Sequence, residues 1–265
     1  WTTLIYSNTF NNSFHYDDRK AIHLNWGIKD ITNYTDLNKA KNLVVNIGQR
    51  PTLSFSFAIN YYFHEFDVFG YHVGNLLIHL IVCILAYLII CKLFQDSNLY
   101  VNPKSPNSLI NKSPPLFAAL LFAIHPINTQ AVNYISARST SLCILLMLAS
   151  LYLFIKFLNL KYLAKEKIGE PGMISGKSSD YTKCLLYRIV LTLIFWLGSF
   201  TSFILALGAR EMPIVLPIIL IIYDIFFYNN KTKPIKKYVK FISFKMSLDF
   251  KEKYIQINMK TNDSW

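Results

Sequence analysis

Long apolar runs separated by polar segments dominate the chain. A helix needs roughly 20 apolar residues to cross the hydrocarbon core of a bilayer. Five runs approach that length, and we predict them as membrane spans at about 72–94, 115–137, 139–158, 185–209 and 212–228. This pattern predicts an all-α polytopic membrane protein with about five transmembrane helices in the region 72–228.

The polar segments on either side complete the predicted domain organisation. Residues 1–71 contain no run long enough to cross a bilayer and are predicted to form a long first loop. Within it, residues 50–66 are aromatic-rich and weakly amphipathic, as is typical of a helix lying in the membrane interface. Residues 229–265 form a basic tail. The apolar character around Trp1 suggests that a further span precedes the chain.

Charge distribution predicts how the spans are oriented. The formal net charge is +12, but the charges flank apolar runs, so they indicate topology rather than nucleic-acid binding. Basic residues concentrate in the loops 95–114 and 159–184 and in the tail. Because cytoplasmic loops carry an excess of Lys and Arg, we predict these segments to be cytoplasmic. Residues 1–71 and the two short links between spans then lie on the non-cytoplasmic face.

The cysteine pattern argues against two kinds of site. Three of the four cysteines, Cys83, Cys91 and Cys143, lie in apolar runs, and none belongs to a CxxC pair. Neither a disulfide framework nor a cysteine metal site is therefore expected. The sequence predicts a multi-pass integral membrane protein, and leaves open whether the membrane is the bacterial inner membrane or that of the endoplasmic reticulum.

Polar and ionisable residues from distant parts of the sequence collect at the predicted non-cytoplasmic face. They are Asp17, Asp18, Arg50, His72, Asn75, His79, His125, Asn133, Arg138, Arg210 and Glu211. This set suits a lipid phosphate-sugar donor, because Arg offers fork-shaped donors to phosphate oxygens. A carboxylate can take the proton of an attacking hydroxyl, and cations stabilise the charge that develops on a departing phosphate.

Most of these residues also have a purely structural explanation. His72, Asn75 and His79 share one helix face, and such polar faces more often hold helices together than bind substrate. Arg138 and Arg210 are equally explained as residues that end a span and reach to the interface. The hypothesis of a site for a lipid phosphate-sugar donor therefore rests on the residues taken together, not on any one of them.

Five stretches, occurring in a fixed order along the chain, resemble a known family. They are FHYDDRKAIHLN (14–25), RPTLSFSFAINYYF (50–63), GYHVGNLLIH (70–79), LFAIHPINTQAVNYISARS (121–139) and REMPIVLPIILIIYD (210–224). Their order is similar to that in membrane-embedded protein O-mannosyltransferase-like proteins that usually carry tetratricopeptide repeats. This family includes bacterial forms and the animal O-mannosyltransferases that target cadherins.

The resemblance implies a glycosyltransferase with a GT-C fold. It implies that Asp17 and Asp18 are the catalytic acid pair, with Asp17 as the base. The substrate-binding residues would be Arg50, His72, His79, His125, Asn133, Arg138, Arg210 and Glu211. A hexose, usually mannose, would pass with inversion from a polyprenyl-phosphate donor to a protein Ser or Thr at the outer membrane face. The expected partners are thus the lipid-linked donor, a protein acceptor and membrane lipids, with no further cofactor expected and any divalent-metal requirement left open.

The chain also departs from the family pattern. The family has more than five spans, followed by repeats, and the tail after Asn229 does not resemble it. We therefore expect an N-terminal-region fragment or a shortened relative. Two alternatives remain, a transporter-like protein and a non-catalytic membrane scaffold. A transporter would place polar residues along a path through the membrane midplane, whereas here they gather at one face.

Overall fold

The computed structural model describes residues 6–36, 50–97, 108–168 and 178–228, which are helical or form turns, with no strand among them. The predicted basic tail and parts of both predicted cytoplasmic loops lie outside these residues. The α-helices in the described ranges are α1 (Thr32–Thr35), α2 (Pro51–His64), α3 (Val68–Asp96), α4 (Ser108–Ile124), α5 (Thr129–Asn133), α6 (Arg138–Ile168), α7 (Ser178–Leu207) and α8 (Leu216–Phe227).

Three helical segments within the described residues are long and apolar enough to cross a membrane. They are Val68–Asp96, Ile135–Tyr162 and Leu186–Leu207, and they correspond to the predicted first, third and fourth spans. The predicted fifth span is a shorter apolar helical segment, Met212–Phe227. Its continuous helix, α8, has 12 residues. At 1.5 Å per residue it is shorter than the roughly 30 Å hydrocarbon core.

The predicted second span, 115–137, contains a bent pair of helices rather than one continuous helix. Two helical pieces, Ser113–Ile124 and Pro126–Asn133, meet at an angle of 48°. His125 has extended backbone angles (φ −64°, ψ 130°) and caps the turn after it. A residue that precedes proline is disfavoured in the helical conformation. Pro126 therefore explains why the helix ends at Ile124.

The long helices expose apolar side chains over much of their length. Examples are Ile84 on α3, Phe117 on α4 and Leu193 on α7. Large exposed apolar surfaces are unusual on a soluble monomer, but they are expected where a helix faces lipid tails. This exposure agrees with an all-α membrane protein.

Small polar residues join α6 to α7. The Ser150 hydroxyl donates to the Ser199 carbonyl at 2.8 Å, and the Ser199 hydroxyl donates to the Ser150 carbonyl at 2.9 Å. One turn further on, the Ser202 hydroxyl donates to the Leu146 carbonyl at 2.9 Å. Small residues let two helix backbones approach closely, and their hydroxyls hydrogen-bond across the interface.

The segment before α2 packs on the ends of the long helices. Its buried side chains Ile22 and Ile28 form one cluster with Phe57 of α2, Tyr71 of α3 and Ile135. Polar contacts add to this packing. The Thr9 hydroxyl lies 2.6 Å from the Asn133 amide oxygen, and the His72 ring nitrogen Nε2 lies 3.1 Å from the Asn12 carbonyl. These contacts hold the segment that contains Asp17 and Asp18 against the ends of the long helices.

The chain divides into two compact units, Trp1–Leu220 and Ile221–Trp265. Apart from the end of α8, the features described above belong to the first unit, as does the site below. In the second, the described residues form the end of α8, where the rings of Tyr223 and Phe227 lie 4.7 Å apart between centroids.

Candidate functional site

A cavity of about 800 Å³ lies between the acidic segment of the first loop and the helix ends. Its charged lining residues are Asp17, Lys20, Arg50 and Arg210. Asp17 and Lys20 come from the first loop, just before and within the helical turn Arg19–His23. Arg50 directly precedes α2, and Arg210 lies in the link between α7 and α8. Three residues predicted for the site, Asp17, Arg50 and Arg210, are thus brought together although they are far apart in sequence.

The two adjacent aspartates have opposite environments. The Asp18 carboxylate is 1% exposed. Its Oδ1 accepts hydrogen bonds from the backbone N–H of Ser136, at 2.8 Å, and from the Ser136 hydroxyl. Its Oδ2 accepts from the backbone N–H of His15 at 2.9 Å. Asp18 therefore ties its own turn to the link before α6.

The Asp17 side chain, by contrast, is exposed and lines the cavity. Within the described residues, no hydrogen bond or ion pair engages its carboxylate. Its backbone N–H points to the Tyr134 hydroxyl at 3.4 Å. The preceding residue, Tyr16, has a positive φ of 36°, which is uncommon for a bulky residue. This turn accompanies the separation of the two carboxylates, one buried and one facing the cavity.

Among the described residues, three cations share the cavity with Asp17. Arg50 directly precedes Pro51, the first residue of α2, and is half-buried. Arg210 is also half-buried, and its guanidinium Nη1 donates to the Thr140 hydroxyl on the cavity wall. Lys20 is exposed and lies three residues after Asp17. In the described part of the chain, neither Lys20 nor Arg50 has an ion-pair partner for its side chain.

Arg138 occupies a different place, in a closed cluster beside the cavity. The side chain is 1% exposed. Its guanidinium donates to Asn75 Oδ1 at 2.6 Å, to the Tyr71 carbonyl at 2.7 Å and to Asn60 Oδ1, with a longer contact to the Ser56 carbonyl at 3.4 Å. It also lies 4.7 Å above the Phe57 ring. We refer to Arg138 with Asn60, Asn75 and these two carbonyls as the Arg138 cluster.

The Arg138 cluster holds three helices together and uses neutral acceptors only. Asn60 lies on α2, Asn75 and Tyr71 on α3, and Arg138 begins α6. Gly74 makes the arrangement possible, because a Cβ at that position would lie 2.8 Å from Arg138 Nη2 and 2.9 Å from Asn60 Oδ1. The expected contact between Arg138 and a donor phosphate finds no support in this geometry, because its guanidinium already has these fixed partners.

The predicted histidines also lie outside the cavity lining. His72 and His79 are buried, and the Nε2 atom of His79 lies 3.1 Å from the Ala123 carbonyl. That carbonyl belongs to the last turn of α4, where helix carbonyls lack partners in their own helix. His125 is exposed, and its Nδ1 accepts from the Ile127 N–H at 3.2 Å. These contacts fit the structural explanation of the histidines.

Two further predicted residues lie outside the lining as well. The Asn133 amide oxygen contacts the Thr9 hydroxyl, and Glu211 is an exposed residue next to Arg210. For the described residues, no group of three or more His, Cys, Asp or Glu side chains is placed to hold a metal ion.

Sequence reasoning missed several residues that the structure brings to the cavity. Lys20, Gln130, Tyr134 and Thr140 all line it. Lys20 follows the acidic pair within the same motif, so its spacing of three residues from Asp17 was a usable signal. The others have no such signal, because they reach the cavity only through the bend at His125 and the start of α6.

These features define a class of protein, an all-α membrane protein with a carboxylate and three cations around a cavity at the helix ends. The comparisons with known proteins narrow the class. The chain is 30% identical to the protein O-mannosyl-transferase Tmtc3 of Drosophila melanogaster over 184 residues, which cover 67% of this chain and 17% of the relative. It is also 30% identical to mouse TMTC4 and 33% identical to Xenopus laevis tmtc2, over 56% and 58% of this chain and 21% and 17% of those relatives.

The matches relate the chain to the protein O-mannosyltransferase-like family. The chain spans about a fifth of the length of these curated relatives. No family model matches it, and no solved structure does.

Proposed function

We propose that the cavity is the active site of a GT-C glycosyltransferase in the whole protein, which transfers mannose to protein Ser or Thr hydroxyls. The names of the relatives support the sugar and the protein acceptor. The lining residues support a donor with a phosphate group, because two arginines and a lysine accompany the carboxylate. A polyprenyl-phosphate mannose fits this site at the end of lipid-exposed helices, on the predicted non-cytoplasmic face.

The proposed reaction is a single displacement with inversion. Asp17 accepts the proton of the acceptor hydroxyl while the hydroxyl oxygen attacks the anomeric carbon of the mannose. The bond between that carbon and the donor phosphate oxygen breaks, and the phosphate leaves with the bonding electron pair. Arg50, Arg210 and Lys20 stabilise the negative charge that gathers on the departing phosphate.

The observation that carries the proposal is the separation of the two aspartates. A general base needs a free lone pair within reach of the substrate, and Asp17 offers one to the cavity. Asp18 has its oxygens occupied by three donors, so it holds the turn in place. The same sequence motif thus supplies a base and the residue that positions it.

The test replaces Asp17 by Asn in the whole protein, purified in detergent. With a short-chain polyprenyl-phosphate mannose and an acceptor peptide, transfer should fall by about 10²–10⁴, the typical loss for a general base. Asn keeps the size of the side chain but cannot take the proton. Thermal stability should be unchanged, because the Asp17 carboxylate has no described partner to lose.

Glu65→Gln is the matched control, since Glu65 is an exposed carboxylate outside the cavity lining. It should keep wild-type transfer. Transfer by Asp17→Asn at the wild-type rate would refute the assignment of the base.

A further inference from the structure

The charges that line the cavity do not balance. Among the described residues, Lys20, Arg50 and Arg210 face one carboxylate, Asp17. With Asp17 ionised, the described lining has an excess of two positive charges. A partly enclosed site of this kind favours the ligand that cancels the excess, because solvent screens charges less there than in open water.

The substrate and product of a lipid-phosphate glycosyltransferase differ in this property. A phosphodiester donor carries one negative charge. The phosphate monoester left after transfer has a second pKa near 6 and carries about −1.5 to −2 at pH 7. The second charge appears on the leaving oxygen during the reaction.

We infer that the cavity selects the dianionic phosphate monoester of a lipid over the corresponding phosphodiester, and that Lys20 is a specificity-determining residue for this choice. The inference rests on the proposed function, since it concerns the leaving group of that reaction. It goes further in stating that the lipid-phosphate product binds more tightly than the donor and inhibits the enzyme.

The position of Lys20 supports its part in this selection. It lies three residues after Asp17 in the first loop, whereas Arg50 directly precedes α2 and Arg210 lies in the link between α7 and α8. In the described part of the chain the exposed Lys20 ammonium has no ion-pair partner, so its charge is available to a ligand. A compact ammonium acts on phosphate as a point charge, without the fixed bidentate geometry of Arg. Its attraction therefore grows with the charge of the phosphate.

Interactions that strengthen as charge develops also accelerate the chemical step. Only contacts stronger in the transition state than in the ground state lower the barrier. A third cation that meets the second negative charge of the phosphate meets this condition. Tight product binding is then a direct consequence of the charge arrangement that favours the reaction.

The test measures binding of three probes to the whole protein in detergent at pH 8. The probes are decyl phosphate, its methyl ester decyl methyl phosphate, and inorganic phosphate. Decyl phosphate should bind on the order of tenfold more tightly than the methyl ester, as expected for one additional charge near unpaired cations. Inorganic phosphate, which lacks the chain, should bind more weakly than decyl phosphate.

Two variants test the part played by Lys20. Lys20→Gln should reduce the ratio of the two decyl affinities several-fold. Arg19→Gln should leave the ratio unchanged, because Arg19 is the adjacent exposed cation and does not belong to the described cavity lining. This pair removes the same charge from neighbouring positions.

The outcomes separate this inference from the proposed function. Equal affinity for the two decyl probes, or an affinity ratio that Lys20→Gln leaves unchanged, overturns the inferred selection of monoester over diester. The proposal that the cavity binds phosphate is unaffected by either result. Inorganic phosphate that binds as tightly as decyl phosphate overturns the assignment to a lipid. If none of the probes binds to the wild-type protein, the proposed function itself fails.

Discussion

The Arg138 cluster and the cavity are neighbouring polar regions that differ in whether their cations have hydrogen-bond or ion-pair partners within the protein. In the cluster, one buried arginine meets the amide oxygens of Asn60 and Asn75 and two backbone carbonyls. In the cavity, Lys20 and Arg50 have no described ion-pair partner. Phe57 belongs to both regions, since it lines the cavity and lies beneath the Arg138 guanidinium.

The difference teaches how to separate a structural cation from a binding cation. A buried charge is stable only when hydrogen-bond partners replace the water it has lost. Arg138 has those partners within the protein, and they fix the relative positions of α2, α3 and α6. A cation that faces an open cavity without such partners keeps its donors available for a ligand.

The largest stability effect should follow from Arg138→Lys. An ammonium keeps the charge but cannot reach the four acceptors that the guanidinium reaches. Each buried acceptor left unpaired costs about 1–3 kcal/mol, so we expect the protein to lose about 3 kcal/mol or more. Thermal unfolding in detergent measures the loss.

Arg210→Lys provides the contrast with this variant. The half-buried Arg210 has one described side-chain hydrogen bond, to Thr140, so its replacement should cost about 1 kcal/mol or less. Equal destabilisation by the two variants would remove the distinction between the two regions.

Asp18→Asn should have the next largest effect on stability. The amide NH2 group must replace one of two oxygens, and both oxygens accept from N–H or O–H donors in the structure. The Asn amide N–H group then faces an N–H or O–H group that the carboxylate oxygen had accepted from. We expect the free energy of unfolding to fall by about 1–3 kcal/mol. Ser136→Ala, which removes the hydroxyl but keeps the backbone N–H, should cost about 1 kcal/mol. Chemical denaturation of both variants alongside Asp17→Asn provides the test, and destabilisation by Asp17→Asn instead would reverse the roles of the pair.

A smaller loss is expected from Gly74→Ala, which probes how tightly the Arg138 cluster is packed. The added Cβ would lie 2.8 Å from Arg138 Nη2, so the guanidinium has to shift. Overpacking of this kind costs about 1–3 kcal/mol, offset in part because Ala favours a helix over Gly by up to about 1 kcal/mol. Gly198→Ala is the control, since its nearest neighbour is the flexible Leu153 side chain at 3.3 Å. Thermal unfolding should rank Gly74→Ala below Gly198→Ala, and the opposite ranking would show that the cluster tolerates displacement.

Sequence pattern predicted the helical character, because the length of an apolar run follows directly from the order of the residues. Three of the five predicted spans, the first, third and fourth, correspond to helices long and apolar enough to cross a membrane. The helix predicted within 50–66 is confirmed as α2, while its place in the membrane interface stays a prediction. The second span at 115–137 stays a prediction, and the structure adds a break at His125 within it, next to the Pro126 that is visible in the sequence.

The site was predictable in part. The choice of Asp17 over Asp18 stays a prediction about catalysis, and it agrees with the exposure of the two side chains. The environment of Arg138 could not be predicted from the sequence. The sequence pattern around an arginine at the end of a span is the same whether its side chain binds a ligand or two asparagines. Its partners Asn60 and Asn75 lie 78 and 63 residues away, and only packing of the helices shows the contact.

The most direct test of the account is an experimental structure of the whole protein with decyl phosphate bound. The account predicts the phosphate group in the cavity, within hydrogen-bond distance of Arg50 or Arg210 and with Asp17 facing the open side. The Arg138 cluster should remain closed, with its guanidinium still bonded to Asn60 and Asn75. A phosphate bound to the Arg138 guanidinium, with those asparagines displaced, would contradict the central claim that the cavity binds the ligand and the cluster holds the helices.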